Sequence, residues 1–219
     1  MYKYQKIETV FNRDMEGTKK LIYGDYRDKT VEFLKDCPWE FTEKIDGTNI
    51  GIYWDGHKVN FQGRTEKAVI PKHLLERLEE LFGGEENEQL FEQMFGEKEV
   101  VLFGEGYGNK IQKSGNLYDP EKANFILFDV YFPQSDLFLE RENMVNIAAA
   151  FNIDVVPIVL TGTIEDAIEY VRPNRQSTIG KADMEGLVGK LKIDVRDRKG
   201  ERVIVKIKHH DFKGEETNA

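Results

Sequence analysis

A lysine that ends an apolar strand and is followed by an acid and a glycine turn can present its amine to an electrophile. The stretch Glu43-Lys44-Ile45-Asp46-Gly47-Thr48-Asn49 has that form. An amine attacks phosphorus only when deprotonated, and a lysine near its ordinary pKa of ~10.4 is almost wholly charged at pH 7. Desolvation and neighbouring cations favour the neutral amine, whereas acids such as Glu43 and Asp46 favour the ammonium, a tension that a bound metal would relieve. Alone, Lys-x-Asp-Gly equally describes a surface lysine before a turn.

Further along the chain are other residues suited to a polyanionic ligand. Arg64 follows Phe61-Gln-Gly, and Glu105 lies in Leu102-Phe-Gly-Glu-Gly-Tyr-Gly108, where glycines permit close approach. Phe128-Asp129 sits inside the apolar run Phe125 to Tyr131, and Glu185 opens Glu-Gly-Leu-Val-Gly-Lys190. Lys206 and Lys208 alternate in Val203-Ile-Val-Lys-Ile-Lys208, which puts both on one strand face. Each has an ordinary alternative: a solvated strand face, a turn, a core ring, a surface acid. The glycine-rich piece is neither a Walker loop nor a dinucleotide fingerprint.

The elements that must carry these residues are mostly strands. Runs rich in β-branched and aromatic residues predict strands over Trp39 to Glu43, Asn49 to Tyr53, Lys58 to Phe61, Val100 to Gly104, Asn124 to Tyr131, Val155 to Leu160, Glu185 to Lys190 and Val203 to Ile207. Helical spacing runs from Pro71 to Phe95 with a break at Gly83-Gly84, then from Leu139 to Phe151 and from Ile164 to Val171. Pro71 suits the first helical position, and Thr163-Ile-Glu-Asp reads as a helix start. Asp55-Gly56 predicts a two-residue hairpin turn of type I′. Strands interleaved irregularly with helices indicate an α+β fold built on antiparallel sheets. No repeat or linker marks a domain boundary, and residues 214–219 read as a polar tail.

With 40% hydrophobic and 32% charged residues, 219 residues can bury a substantial core, which argues against disorder. The single cysteine, Cys37, and the lack of an opening apolar leader point to a reducing, cytoplasmic compartment. No apolar run approaches the ~18 to 20 residues of a membrane span. The net charge of −9 is segregated: residues 75–99 hold nine Glu against Arg77 and Lys98, while residues 190–213 hold nine Lys or Arg against four acids. A polyanionic partner is therefore compatible with an acidic total.

Taken in order, Lys44 to Gly47, Phe103 to Gly106, Phe128-Asp129, Glu185 to Gly189 and Val205 to Lys208 resemble motifs I, III, IIIa, IV and V of the covalent nucleotidyltransferase superfamily of polynucleotide ligases and capping enzymes. The likeness is greatest to RNA ligases of the phage RNA-repair and RNA-editing type. It rests on Glu-Lys-Ile-Asp-Gly-Thr-Asn, on Gly106-Tyr-Gly-Asn-Lys-Ile-Gln-Lys-Ser-Gly115 and on Tyr4-Gln-Lys-Ile-Glu-Thr-Val-Phe. This resemblance implies an adenylation domain of the ATP-grasp-like ligase and capping-enzyme fold, with two antiparallel sheets flanking a nucleotide groove and peripheral helices. It implies one such domain over residues 1–213 and no C-terminal accessory domain.

By the same resemblance, Lys44 attacks the α-phosphorus of ATP to form lysyl-AMP; the AMP passes to an RNA 5′-phosphate and is displaced by a 3′-hydroxyl. Phe128 stacks on adenine with Glu43 beside the base, Glu105 holds the ribose or a metal-bound water, and Arg64, Lys206 and Lys208 meet the phosphates. Glu185, with Asp46 and Asp129, holds Mg²⁺, for which Mn²⁺ substitutes. Asn49, Lys110 and Lys113 lie toward the nucleic acid. Asp46 stands where several such RNA ligases have His. The partner is RNA with 5′-phosphate and 3′-hydroxyl ends, in host cytoplasm if phage-encoded, and the protein is expected to be a monomer that contacts no membrane. The alternatives are a DNA ligase, a capping guanylyltransferase, or a non-catalytic nucleotide- or nucleic-acid-binding module.

Overall fold

The computed structural model describes residues 2–65 and 67–213; the expected tail at 214–219 lies outside them. Before the lysine motif come β1 (Glu8–Thr9), β2 (Phe11–Arg13), β3 (Leu21–Tyr26) and α1 (Lys29–Leu34). The motif itself joins β4 (Trp39–Lys44) to β5 (Thr48–Trp54), followed by β6 (Val59–Gly63), α2 (Lys72–Phe82) and α3 (Glu85–Phe95). Next are β7 (Val100–Gly108), α4 (Gly115–Tyr118), β8 (Ala123–Phe132), β9 (Leu137–Phe138) and α5 (Arg141–Ala150). The chain ends with β10 (Asp154–Val155), β11 (Ile158–Gly162), α6 (Ile164–Val171), β12 (Gly186–Leu191), β13 (Ile204–Lys208) and α7 (His209–Phe212).

Two compact units result, one of Met1–Tyr4 with Asp46–Val156 and the other of Gln5–Ile45 with Pro157–Ala219. The first holds a sheet in the order β10-β8-β7-β5-β6, with β9 on β8. All its pairs are antiparallel except the two-residue β10 on β8. Alternation sends Ile50, Ile52, Leu102, Phe125 and Leu127 into a core with Leu74, Leu78, Phe82, Phe91, Ile147 and Phe151 from α2, α3, α5 and the residue after it. Each such side chain contributes about 1.5–3 kcal/mol on burial. The other sheet face carries Asn49, Glu105, Phe103 and Asp129.

The second unit has a sheet in the order β1-β13-β12-β4-β11 and a small β2-β3 ribbon. Its pairs are antiparallel apart from β1 on β13. Trp39, Phe41, Leu187, Val205 and Ile207 pack against Ile164, Ala167, Ile168 and Val171 of α6, with Phe11 and Phe212 completing the core. Thr163 and Asp166 cap α6 reciprocally, as its sequence leads one to expect.

Several expectations need correction. The run Val155 to Leu160 is two strands, because Pro157 has no amide proton to continue a ladder: β10 pairs with β8 in the first unit, and β11 with β4 in the second. The Asp55-Gly56 turn is a four-residue loop between β5 and β6 in which only Gly56 has positive φ, and the Asp55 side chain accepts from the amides of His57 and Lys58. Pro71 is the N-cap of α2 rather than its first residue. Strand β7 continues past Gly104 to Gly108, placing Glu105 inside a strand instead of at its end.

Candidate active site

In the second unit, register assembles a charged row. Lys44 of β4 lies opposite Gly186 of β12, and Gly186 opposite Lys208 of β13; one row on, Thr42, Val188 and Lys206 are aligned. Two-residue periodicity thus puts Lys44, Lys206 and Lys208 on one face. Glu185, just before β12, reaches both outer lysines: Oε2 is 2.6 Å from Lys44 Nζ and Oε1 is 2.5 Å from Lys208 Nζ. Burial pushes the Glu185 pKa up, but the charges of Lys44 and Lys208 and their hydrogen bonds outweigh it and hold the carboxyl below its ordinary value. Lys206 is pushed down, first by burial and then by the charges of Lys208 and Lys44, against a small opposing pull from Glu8.

Glu43 is turned by strand alternation to the opposite, core-side face, in the row with Leu187 and Ile207. It is 1% exposed. Its carboxylate accepts from the Ser177 hydroxyl and from both the amide and the hydroxyl of Thr178. Glu43 therefore fastens the end of β4 to the loop before β12.

In the first unit, Asn49 of β5 stands opposite Glu105 of β7. Between β7 and β8 the register skips Phe128, since Gly104 pairs with Leu127 and Phe103 with Asp129. Phe128 is thus the extra residue of a β-bulge, a device that re-aims a side chain. The Tyr4 ring meets Phe128 and Phe103 edge-on at 5.0 Å each. Its hydroxyl donates to Asp129 Oδ2, and Asp129 is 3% exposed. Arg64 follows β6 and is exposed, as are Lys110 and Lys113 in the loop after β7. Asp46 receives the Ser114 hydroxyl at 2.5 Å.

Among the described residues no group of three or more His, Cys, Asp or Glu side chains could hold a metal ion. A hard cation such as Mg²⁺ commonly takes only one or two carboxylates, completing its shell with phosphate oxygens and water. Glu185 is a carboxylate that would serve as such a ligand, so the residues present fit a cation that takes few protein ligands.

The sequence profile described as RNA ligase matches residues 37–208. The chain belongs to the RNA ligase family. Solved structures agree in fold. A lysine-to-alanine variant of Naegleria gruberi RNA ligase with ATP and Mn aligns at a TM-score of 0.61 and 20% identity, over 82% of this chain and 52% of that one. The Naegleria gruberi RNA ligase with PPi aligns at 0.61 and 21%, over 82% and 51%. A lysine-to-methionine variant with AMP and Mn gives 0.60 and 22%, over 82% and 52%. The chain spans about half the length of these ligase chains. Comparison with curated protein sequences gives no match.

The RNA ligase region contains every site residue named from sequence, Glu43 to Lys208, but excludes Tyr4. Sequence reasoning did not single out Ser114, Tyr118, Ser177 or Thr178. Ser114, Ser177 and Thr178 lie in loops and Tyr118 ends the four-residue α4, so none carries a periodic signal; the only pointer was the position of Ser114 in the stretch ending at Gly115.

Proposed function

We propose that this RNA ligase family member joins RNA 5′-phosphate and 3′-hydroxyl ends at the expense of ATP, through an AMP bonded to Lys44. The observation that carries this reading is the Lys44–Glu185–Lys208 arrangement, with Lys206 on the same face. Lys44 Nζ attacks the α-phosphorus in line and pyrophosphate leaves, so the site has mainly to position groups and neutralise charge. Lys206 and Lys208 supply that charge together with Arg64. A buried lysine flanked by like charges gains from an anion beside it, which supports Lys206 as a phosphate contact.

Lys44 must first lose its proton, and Glu185, held below its ordinary pKa, is a poor acceptor. A divalent cation, Mg²⁺ or Mn²⁺, held by Glu185 with help from Asp46 and Asp129, would supply the positive charge that competes with Lys44 for this carboxylate. Phe128 stacks on the adenine and Glu105 takes the ribose hydroxyls. Glu43 contributes by fixing the strand end beside the nucleotide. Asn49, Lys110 and Lys113 meet the RNA, and residues 1–213 act as one adenylation domain.

The test is incubation with α-labelled ATP and Mg²⁺ or Mn²⁺. Acid-stable label should appear on the wild-type protein and be absent from Lys44→Ala, and the labelled protein should seal a 5′-phosphorylated RNA. Absence of label across metals and pH sinks the reading.

A further inference from the structure

The loop 109–118 grips the turn that follows Lys44. Ser114 Oγ donates to Asp46 Oδ2 at 2.5 Å, the Asp46 amide donates to the Tyr118 hydroxyl at 3.2 Å, and Gln112 Nε2 donates to the Gly47 carbonyl at 3.0 Å. Three side chains of one short loop thus converge on two consecutive residues. The loop is itself held firmly: Ile111 and Tyr118 are buried in the first unit, and the Ile111 amide donates to the Gly108 carbonyl at 2.9 Å.

Backbone contacts are equally tight. A Cβ on Gly47 would lie 2.3 Å from the Gly106 carbonyl oxygen, and one on Gly115 would lie 2.1 Å from that of Gly108. Only glycine lets the turn, the end of β7 and the loop approach so closely. Lys110 and Gln112, both non-glycine, adopt φ of 57° and 59°. Such conformations are unfavourable for a residue with a side chain and persist where the surroundings over-determine them, commonly at functional sites.

We propose that loop 109–118 is a clamp in which Ser114 is a positioning residue, fixing the Asp46 carboxylate and, with Tyr118 and Gln112, the backbone of the turn beside the nucleophile. The proposal rests on the lysyl-AMP reading and extends it to residues that touch no substrate. A carboxylate held by a hydroxyl keeps one rotamer, and removing the hydroxyl frees it to turn; small misplacements beside a reacting centre cost rate more than binding.

Ser114→Ala, Ser114→Thr and wild type are compared by single-turnover labelling with α-labelled ATP and by amide hydrogen exchange at Gly47 and Thr48 without nucleotide. Expected for Ser114→Ala are a roughly tenfold slower labelling rate at unchanged half-saturating ATP, severalfold faster exchange at the two amides, and recovery of both in Ser114→Thr. Wild-type labelling and exchange in Ser114→Ala would overturn the clamp. So would a loss of melting temperature and ATP affinity together that Thr does not restore, since that marks a merely structural serine. An unlabelled wild type overturns the lysyl-AMP reading and the clamp with it, whereas a labelled wild type with unaltered Ser114→Ala overturns the clamp alone.

Discussion

Glu185 is the residue whose charge state the site most depends on, because both its oxygens face lysines. In the unfolded chain its carboxyl titrates near 4.5, and in the fold it is held lower. Between those two values the unfolded state binds a proton that the folded state does not, so stability rises with pH across that window. The contribution is complete above the unfolded value and is lost as pH falls through the folded one. Glu185→Gln should therefore melt below wild type at pH 7, and the gap should close as pH falls through 4.5 and below. Thermal melts across that range decide the matter; a gap constant with pH would show that the carboxylate is not held by Lys44 and Lys208.

Strand β4 and the loop before β12 form one unit of structure because Glu43 joins them. Glu43→Ala leaves the hydroxyls of Ser177 and Thr178 and the Thr178 amide without their carboxylate, at a cost of about 2–4 kcal/mol. Denaturant titration should register that loss, together with greater protease sensitivity within residues 173–184; unchanged stability would remove the anchoring role. This anchor was hidden in the sequence: alternation with Trp39 and Phe41 turns Glu43 inward, but its partner Ser177 lies 134 residues away and belongs to no periodic pattern. Tyr4 and Asp129, 125 residues apart, were hidden likewise. The lysine row was legible for the opposite reason: alternation within Val203 to Lys208 fixes the shared face of Lys206 and Lys208, and the apolar strand before Lys44 fixes where it ends. β1 and β2, at two and three residues, are too short for alternation to register. The division of Val155 to Leu160 turned on one proline within an otherwise convincing strand.

At the scale of the molecule, a net charge of −9 must be reconciled with the polyanionic substrate proposed above. Seven of the 40 acidic residues are on α2 and α3, where Glu76, Glu79, Glu80, Glu85, Glu86 and Glu92 are exposed while Leu74, Leu78, Phe82 and Phe91 face the core. These carboxylates form a solvated helical surface, and their field at an approaching RNA is long-ranged only when salt is dilute; the Debye length is about 10 Å at 0.1 M. Replacing Glu79, Glu86 and Glu92 together by Gln should leave stability nearly unchanged, because each side chain is in water. It should raise the association rate of a 5′-phosphorylated RNA severalfold at low salt, and the advantage should vanish near ~0.5 M salt. Stopped-flow binding at several salt concentrations separates this from a direct contact, which would alter dissociation as well. A gain that persists at high salt would mean that these helices touch the RNA, and no gain at low salt would mean that their charge does not reach it.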